Sequence, residues 1–249
     1  MTKIILSGCL GRMGSAITEI VKNTQDAEIV CGIDVACGER SYPVYNDYAA
    51  IDINADVIID FSHPANFYNI LNFAKAKNLP IIMCTTGLTD EQKAQLKAAS
   101  EEIPVFFSAN MSLGINLLIR LAKMATKVLE KDFDIEIIEK HHNKKLDAPS
   151  GTALAIADAI ADTMSDDAKY VYERQSVRRQ REKSEIGIHA IRGGTIVGDH
   201  DVLFAGPDEV ITLSHAAASR EVFAQGAVKA AIFMTGKPKG FYCMDDLFE

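Results

Sequence analysis

The sequence predicts an α/β fold in two parts: a doubly wound parallel sheet, and an α+β segment with a mixed or antiparallel sheet. Two observations lead to this prediction. Short apolar strands alternate with helical patterns over the first 110 residues, whereas beyond about residue 112 strand-like runs follow one another across short glycine turns. The first pattern is typical of parallel strands joined by helices, and the second of antiparallel or mixed sheets.

The first part opens with a strand at residues 3–7, a glycine turn at residues 8–14 and a helix that begins near Arg12. A second apolar strand, residues 28–33, ends on Asp34. The remaining elements are strands at 56–61, 80–84 and 104–107, separated by helices near 64–77 and 89–101. The alternation of strands and helices predicts that each strand lies parallel to its neighbour in the sheet.

The second part begins with a long helix over residues 112–130 and a strand at 134–139. The pattern continues with a helix at 152–162, strands at 185–192, 195–205 and 209–215, and a helix at 220–234. Because the last three strands are separated by turns as short as Gly193-Gly194 and Gly206-Pro207, we expect a mixed or antiparallel sheet with helices on one face.

Composition narrows the function. The chain has 249 residues, 48% of them hydrophobic and 24% charged, with a net charge of −8. The acidic balance argues against nucleic acid or an anionic membrane as partner. We find no signal-peptide pattern and no apolar stretch near the roughly 18 residues that span a bilayer, so a cytoplasmic protein with a small-molecule partner is expected.

The glycine turn has the spacing GxxGxxG, formed by Gly8, Gly11 and Gly14. Glycines let the backbone approach a pyrophosphate, and the helix start at Arg12 and Met13 offers amides and a positive dipole end to that anion. The spacing differs from the commoner GxGxxG and also fits a plain tight turn. Its position between a strand and a helix favours a Rossmann-type dinucleotide site.

Asp34 lies twenty residues beyond Gly14, at the end of the second strand. A carboxylate there accepts hydrogen bonds from the 2′-hydroxyl of NAD and repels the 2′-phosphate of NADP. Val35 and Ala36 add no basic group, although Arg12 or Arg40 can compensate. NADH is therefore the favoured cofactor, with NADPH possible.

Two more polar stretches follow the ends of strands, where ligands of open α/β sheets bind. Phe61 and Ser62 follow one strand, and Thr85, Thr86 and Gly87 follow the next. Their hydroxyls and glycine suit a nicotinamide channel. A helix cap at Ser62 and a capping turn at Thr85 and Thr86 explain the same residues equally well.

The stretch from Glu139 to Ala153 combines two histidines, two lysines and an aspartate with a small-residue turn. An alternating strand delivers His141 and His142 at its C-terminal end, and Ser150 has the character of a helix N-cap. A solvated basic loop with an ordinary cap is the alternative. A metal site is not expected, since no third ligand lies nearby with suitable spacing.

A ligand with carboxylates suits this stretch. Lys144 or Lys145 supplies a cation, and the amides and hydroxyls of Ser150, Gly151 and Thr152 supply hydrogen-bond donors at a helix start. A histidine that titrates near neutral pH can donate a proton beside them.

These residues also carry a family resemblance. Residues 141–153, HHNKKLDAPSGTA, resemble the HHxxKxDAPSGTA signature of the dihydrodipicolinate reductase family. The similarity extends over nearly the whole chain and includes the glycine loop, Asp60-Phe61-Ser62, Thr85-Thr86-Gly87, residues 108–112, and Ser219-Arg220 followed by residues 226–228.

The resemblance implies a dinucleotide-binding Rossmann domain from residues 1–110 and 221–249, and a substrate-binding and oligomerisation domain from residues 111–220. It implies that His141 is the proton donor with Lys145 as its partner. It implies substrate contacts from His142, Ser150, Gly151 and Thr152, cofactor contacts from Ala109, Asn110 and Met111, and, more weakly, a place for Arg220 near the substrate.

The implied reaction is NAD(P)H-dependent reduction of 4-hydroxy-tetrahydrodipicolinate, a cyclic dicarboxylate of diaminopimelate and lysine biosynthesis, by a homotetramer. Cys84 and Met111 depart from the family pattern of glycine and phenylalanine, and the arginine often found just after position 34 is absent. Two other classes fit the residues: a Rossmann reductase for an amino-acid semialdehyde or another imine, and a non-catalytic protein that senses NAD.

Overall fold

The computed structural model describes residues 1–248, and the chain divides into two compact units. The first is Met1–Ser112 together with the chain from Glu221 onward, and the second is Leu113–Arg220. Met111 and Ser112 therefore belong with the first unit. The physical reason is close packing, because a side chain at Gly226 would overlap the carbonyl oxygen of Met111.

The strands, in chain order, are β1 (Thr2–Ser7), β2 (Ala27–Ile33), β3 (Val44–Tyr45), β4 (Val57–Asp60), β5 (Ile81–Met83), β6 (Pro104–Phe107), β7 (Asp134–His141), β8 (Lys169–Val171), β9 (Glu185–Arg192), β10 (Asp199–Ala205), β11 (Val210–Ala216) and β12 (Gly240–Tyr242). The helices are α1 (Arg12–Lys22), α2 (Phe67–Lys77), α3 (Asp90–Ala99), α4 (Leu113–Leu129), α5 (Gly151–Ala161) and α6 (Glu221–Met234). Within residues 1–248, none of these helices is long and apolar enough to cross a bilayer.

The first unit is a parallel sheet in the order β12-β6-β5-β4-β1-β2-β3. Its central strands are continuous apolar runs, such as Ile4–Leu6 and Val57–Ile59, whose residues are fully buried. Strands of this kind are covered on both faces, as expected for a doubly wound sheet. The strand order reverses between β1 and β4, and ligands of open α/β sheets bind at such a switch point.

The second unit is a mixed sheet in the order β11-β10-β7-β9-β8. Strand β7 runs parallel to β9 and antiparallel to β10. Its residues alternate between half-buried and buried, so one face of the sheet is covered. On that face Ile135 and Ile137 join an apolar core with residues of α4 and α5.

Several element boundaries differ from the sequence prediction. His141 is the last residue of β7 rather than a loop residue, because β9 extends far enough for Arg192 to pair with it. Strand β10 begins at Asp199 and not at residue 195, since its ladder with β7 ends at Lys140. The short strands β3, β8 and β12 were not predicted.

Candidate active site

The glycine loop lies at the switch point of the parallel sheet. Gly8 follows β1 with a φ of 76°, and a Cβ atom there would lie 2.5 Å from the carbonyl oxygen of Phe61. A side chain at Gly14 would overlap the Gly8 carbonyl oxygen, so these positions need glycine. Gly11 caps α1 without a side-chain hydrogen bond, which leaves the first amides of the helix to an anion.

Asp34 is bonded directly to this loop. Its Oδ2 atom accepts a hydrogen bond from the Leu10 amide at 2.9 Å, and its Oδ1 atom accepts one from the Ala36 amide at 3.1 Å. Each carboxylate oxygen retains a second acceptor position. Asp34 therefore fixes the loop against the end of β2 and can still receive a ligand hydroxyl.

Arg40 is hydrogen-bonded to the same loop. Its Nη2 atom donates to the Cys9 carbonyl oxygen at 2.9 Å and to the Ser15 hydroxyl at 2.7 Å, and its Nε atom donates to the same carbonyl at 3.2 Å. The guanidinium is thus engaged with the backbone and first turn of the glycine motif.

A cavity of about 1050 Å³ opens at the switch point, and it brings together Gly8, Gly11, Asp34, Phe61 and Ser62. The predicted residues Arg12, Met13 and Gly14, at the start of α1, are outside its described lining. The lining also includes residues that the sequence analysis missed, in the loop after β3, just before α2 and on α2: Asn46, Asp47, Tyr48, Ala49, Ile51, Asn66, Asn69, Asn72, Phe73, Ala76 and Lys77. No motif marks these residues.

The other predicted cofactor residues lie outside that cavity's described lining. The Thr85 hydroxyl donates to the buried Asp60 carboxylate at 2.6 Å, whereas Thr86 and Gly87 are exposed. Ala109, Asn110 and Met111 form the connection after β6, where the Asn110 Oδ1 atom accepts the Ser112 amide at 2.8 Å.

The alternative interpretation, in which Ser62 caps a helix and Thr85 and Thr86 form a capping turn, was wrong. His63, not Ser62, caps the short helical turn at Pro64–Asn66, and Thr89 caps α3.

The second unit carries a polar cluster at one end of its covered face. Sheet register puts Glu139 opposite His200, and His141 opposite Arg192. Glu139 is fully buried and His141 is 9% exposed. The cluster directly continues the apolar rows of β7, so the side chains that can do chemistry are held by the same alternation that builds the core.

Glu139 makes four hydrogen bonds in this cluster. Its Oε2 atom lies 2.6 Å from Nδ1 of His141, Arg192 donates to both carboxylate oxygens at 2.7 and 2.6 Å, and the Ser150 amide donates at 2.9 Å. Burial by itself raises the pKa of Glu139, but the hydrogen bonds from Arg192, His141 and Ser150 outweigh it and hold the pKa below its usual value.

Ser150 caps α5, as predicted from sequence, by accepting the Ala153 amide at 3.1 Å. Its hydroxyl also lies 3.1 Å from Nε2 of His200, and its amide N–H donates a hydrogen bond to Oε1 of Glu139. Ser150 is therefore committed to internal contacts. Gly151, by contrast, is exposed with open space around its Cα atom, so a ligand can approach the helix start there.

The loop between β7 and α5 carries the remaining predicted residues. Lys145 forms a 2.8 Å ion pair with Asp147, and this hydrogen bond holds the pKa of Asp147 below its usual value. Lys144 is exposed. Nδ1 of His142 is buried and has no hydrogen-bond partner among the described residues.

His200 was missed by the sequence analysis, as were Glu139 and Arg192. Burial lowers the pKa of His200 to about 4, and the neighbouring His141 adds to this effect. The rings of these two histidines meet edge to face with centroids 5.3 Å apart. The i, i+2 spacing of Glu139 and His141 on a strand was the one signal that pointed to this cluster.

Comparison with known proteins identifies the family. The model for the N-terminus of dihydrodipicolinate reductase matches residues 2–111, and the model for its C-terminus matches residues 114–248. The chain belongs to the dihydrodipicolinate reductase family. The predicted family, fold class and oxidoreductase activity are thereby confirmed.

Individual dihydrodipicolinate reductase relatives agree with this assignment. The 4-hydroxy-tetrahydrodipicolinate reductase of Caldanaerobacter subterraneus subsp. tengcongensis is 52% identical, over 99% of this chain and 98% of the relative. The enzyme of the same name from Clostridium novyi is 50% identical over 100% and 99%. Dipicolinate-bound dihydrodipicolinate reductase from Paenisporosarcina sp. TG-14 superimposes with a TM-score of 0.82 at 26% identity, covering 98% and 97%.

Proposed function

We propose that this reductase acts on 4-hydroxy-tetrahydrodipicolinate, prefers NADH, and uses His141 as its proton donor. The observation that carries the assignment is the buried Glu139–His141 pair beside the start of α5. It joins a titratable group to a helix N-terminus that suits a carboxylate. Family membership supports the substrate class and a nicotinamide cofactor.

The glycine loop fits a dinucleotide. Gly8 and Gly14 leave no room for side chains between loop, sheet and helix, and α1 begins without a side-chain cap, as a pyrophosphate site requires. Such a cofactor supplies hydride when bound. Asp34 supports NADH over NADPH, because the residue after it, Val35, is exposed and uncharged and Arg40 is already engaged with the loop.

We assign the binding of the substrate carboxylates to the loop between β7 and α5 and the start of α5, in the second unit. Lys145 supplies the cation, and a carboxylate there competes with Asp147 for it. His142, Gly151 and Thr152 supply further donors, while Ser150 shapes the helix start through its cap. The ring is thereby oriented for hydride, and the negative charge that hydride creates is met by a proton from His141.

In the proton step the N–H bond of protonated His141 breaks, its electron pair stays on nitrogen, and the imidazole becomes neutral. The proton joins the substrate at the position left electron-rich by the hydride. General acids of this kind contribute roughly 10²- to 10⁴-fold to rate.

The second unit also supports assembly into a homotetramer. Leu117, Leu121, Met124 and Val128 form an exposed apolar stripe along α4. Strand β11 is an edge of the sheet and exposes Val210. Apolar helix faces and open sheet edges are normally covered by another chain, and a second copy of this chain offers both features.

A spectrophotometric assay tests the function. NADH oxidation is followed with the freshly made condensation product of pyruvate and aspartate semialdehyde. We expect saturable turnover. Tight NADH binding without turnover would indicate a sensor, and turnover of another semialdehyde or imine alone would indicate a different reductase.

The two proposed catalytic residues should fail differently. His141→Ala should lower kcat by roughly 10²- to 10⁴-fold and leave NADH affinity, measured by fluorescence, near wild type. Lys145→Ala should raise KM and lower kcat together, because a misplaced ring also misaligns hydride transfer. Lys144→Ala is the matched control, since Lys144 is the exposed alternative cation in the same loop and the proposal assigns the carboxylate to Lys145 instead. Wild-type kcat in His141→Ala would show that the assigned acid is wrong.

A further inference from the structure

We infer that Glu139 is a positioning residue that fixes the tautomer of His141: it keeps the Nδ1 proton in place and leaves Nε2 as the nitrogen that gives its proton to the substrate. This inference rests on the proposed function, because it assumes that His141 is the acid. Glu139 itself does not contact the substrate in this scheme.

The hydrogen-bond partners of Glu139 determine which nitrogen of His141 carries a proton. An ionised carboxylate only accepts hydrogen bonds, and three of the four bonds to Glu139, two from Arg192 and one from the Ser150 amide, come from groups that can only donate. With the carboxylate ionised and Nδ1 of His141 at 2.6 Å, that nitrogen must carry the proton. The opposite tautomer would set a nitrogen lone pair against a buried anion.

On the other side of the imidazole, Nε2 lies beside a glycine. A Cβ atom at Gly198 would lie 3.0 Å from Nε2 of His141 and 3.4 Å from its Cδ2 atom. The chain therefore passes Nε2 at the one residue type that adds no side chain there. Nδ1 of the ring is therefore held by the Glu139 carboxylate, and Nε2 faces the backbone of Gly198, which has no side chain.

Glu139 also couples the acid to the proposed substrate loop. The same carboxylate accepts a hydrogen bond from the amide of Ser150, the N-cap residue of α5. Its partner Arg192 donates a further hydrogen bond to the Asp147 carbonyl oxygen at 2.6 Å. The Glu139–Arg192 ion pair is thus hydrogen-bonded to His141, to Asp147 in the lysine-bearing loop and to the N-cap of α5, so it holds all three in place.

Charge on His141 should depend on this pair. The titratable and charged groups in this region are Glu139 on β7, Arg192 on β9, His200 on β10 with His215 beside it on β11, and Lys145 with its partner Asp147 in the loop. Glu139 is the anion that is bonded directly to the ring, at Nδ1, so it is the group that favours imidazolium, the form that donates a proton.

Glu139→Gln tests the inference, since glutamine keeps an acceptor for Nδ1 and removes the charge. We expect kcat to fall about 10- to 10²-fold, as part of what a general acid contributes, with NADH affinity unchanged. The high-pH limb of the kcat profile should also move to lower pH, because the imidazolium loses its counter-ion.

Glu136→Gln is the matched control. Glu136 lies on the same strand and contacts a histidine and an arginine as Glu139 does, with His189 at 2.7 Å and Arg174 at 2.8 Å, but it faces the other side of the sheet. We expect kcat and its pH profile to stay at wild type. If kcat and its pH profile changed equally in Glu139→Gln and Glu136→Gln, loss of either ion pair would be acting through the stability of the protein. That result would overturn the inference.

A double variant separates positioning from folding. In the His141→Ala background, Glu139→Gln should cost less than about twofold further, because its effect passes through the absent ring. An undiminished additional loss would refute the assignment. Unchanged wild-type kcat in Glu139→Gln, with His141→Ala inactive, would refute the inference and leave the proposed acid in place.

If Glu139→Gln fails to fold, the tautomer is read directly. Histidine nitrogens are followed by NMR in ¹⁵N-histidine-labelled wild-type protein, with His141→Ala to assign the resonances. A neutral His141 protonated at Nδ1 supports the inference, and one protonated at Nε2 overturns it. A catalytically competent His141→Ala variant would rule out the proposed acid, and this inference with it, whatever the tautomer.

Discussion

We expect His200 to make the stability of the protein sensitive to acid. The residue is 3% exposed, and burial lowers its pKa to about 4. In the unfolded chain a histidine titrates near pH 6.5. A group whose folded pKa is lowered contributes stability that is present above the unfolded pKa and lost as pH falls through the folded one. We therefore expect the free energy of unfolding to decline between pH 6.5 and pH 4.

The magnitude follows from that interval. Linkage between the two pKa values gives a loss of about 2 kcal/mol by pH 5 and about 3 kcal/mol once both states are protonated. His200→Gln removes the titrating group, and its amide can still reach the Ser150 hydroxyl in place of Nε2. The variant should therefore lose less stability than wild type between pH 8 and pH 5, by about 2 kcal/mol.

Urea unfolding followed by far-UV circular dichroism measures this difference, since the chain contains no tryptophan. Protein concentration is held constant because assembly would shift apparent stability. His189→Gln is the control, since this strand histidine lies on the opposite face with a side chain 38% exposed. The low pKa of Glu139 leaves that carboxylate ionised at pH 5, so it contributes little in this range.

The result that refutes the argument is a parallel pH dependence. If wild type and His200→Gln lose the same stability between pH 8 and pH 5, the buried imidazole is not what titrates. If His189→Gln shows the larger effect, the sensitive group lies on the other face of the sheet.

Three further predictions concern packing, cofactor choice and assembly. Gly226→Ala should lower the free energy of unfolding by at least about 2 kcal/mol, because its methyl group would overlap the Met111 carbonyl oxygen; urea unfolding unchanged from wild type would contradict this. Wild type should show a higher kcat/KM with NADH than with NADPH, and Asp34→Ala combined with Val35→Arg should partly reverse the order; a tenfold wild-type preference for NADPH would disprove the assignment of Asp34. Met124→Glu places a charge in the exposed α4 stripe and should shift sedimentation toward smaller species with an unaltered circular dichroism spectrum; a wild-type monomer at micromolar concentration would exclude the tetramer.

Long periodic elements were predictable from sequence, and short edge strands were not. Strand β9 has the predicted bounds, and α4 and α6 agree within a residue at each end, since apolar periodicity fixes such elements. Strands β3, β8 and β12 contain two or three residues and carry no pattern of their own. They exist because an adjacent strand offers unpaired backbone groups, which only the folded sheet reveals.

The candidate site likewise contains residues that local sequence predicts and residues that only the folded sheet brings together. His141, Lys145 and Ser150 were marked by local sequence, whereas Arg192 lies far along the chain and joins them only through the register of β7 and β9. Glu139 was visible two residues before His141, but its burial was not. Whether a glutamate on a half-covered strand faces solvent or core depends on where the apolar row ends, and that is a tertiary property.

The two ends of β7 show why the Glu139 cluster is better explained by chemistry than by stability. A buried ion pair is weak evidence for stability, because apolar residues of similar volume often serve a core as well or better. Glu136 joins Arg174 and His189 where the three side chains are 23% to 38% exposed, and water can share the cost of their charges. Glu139 instead loses all contact with water and needs four donors to offset that loss. A fold that required only a filled core would continue the row of Ile135 and Ile137 with another apolar residue. At Glu139 that cost falls where, in our proposal, the carboxylate also sets the proton on His141.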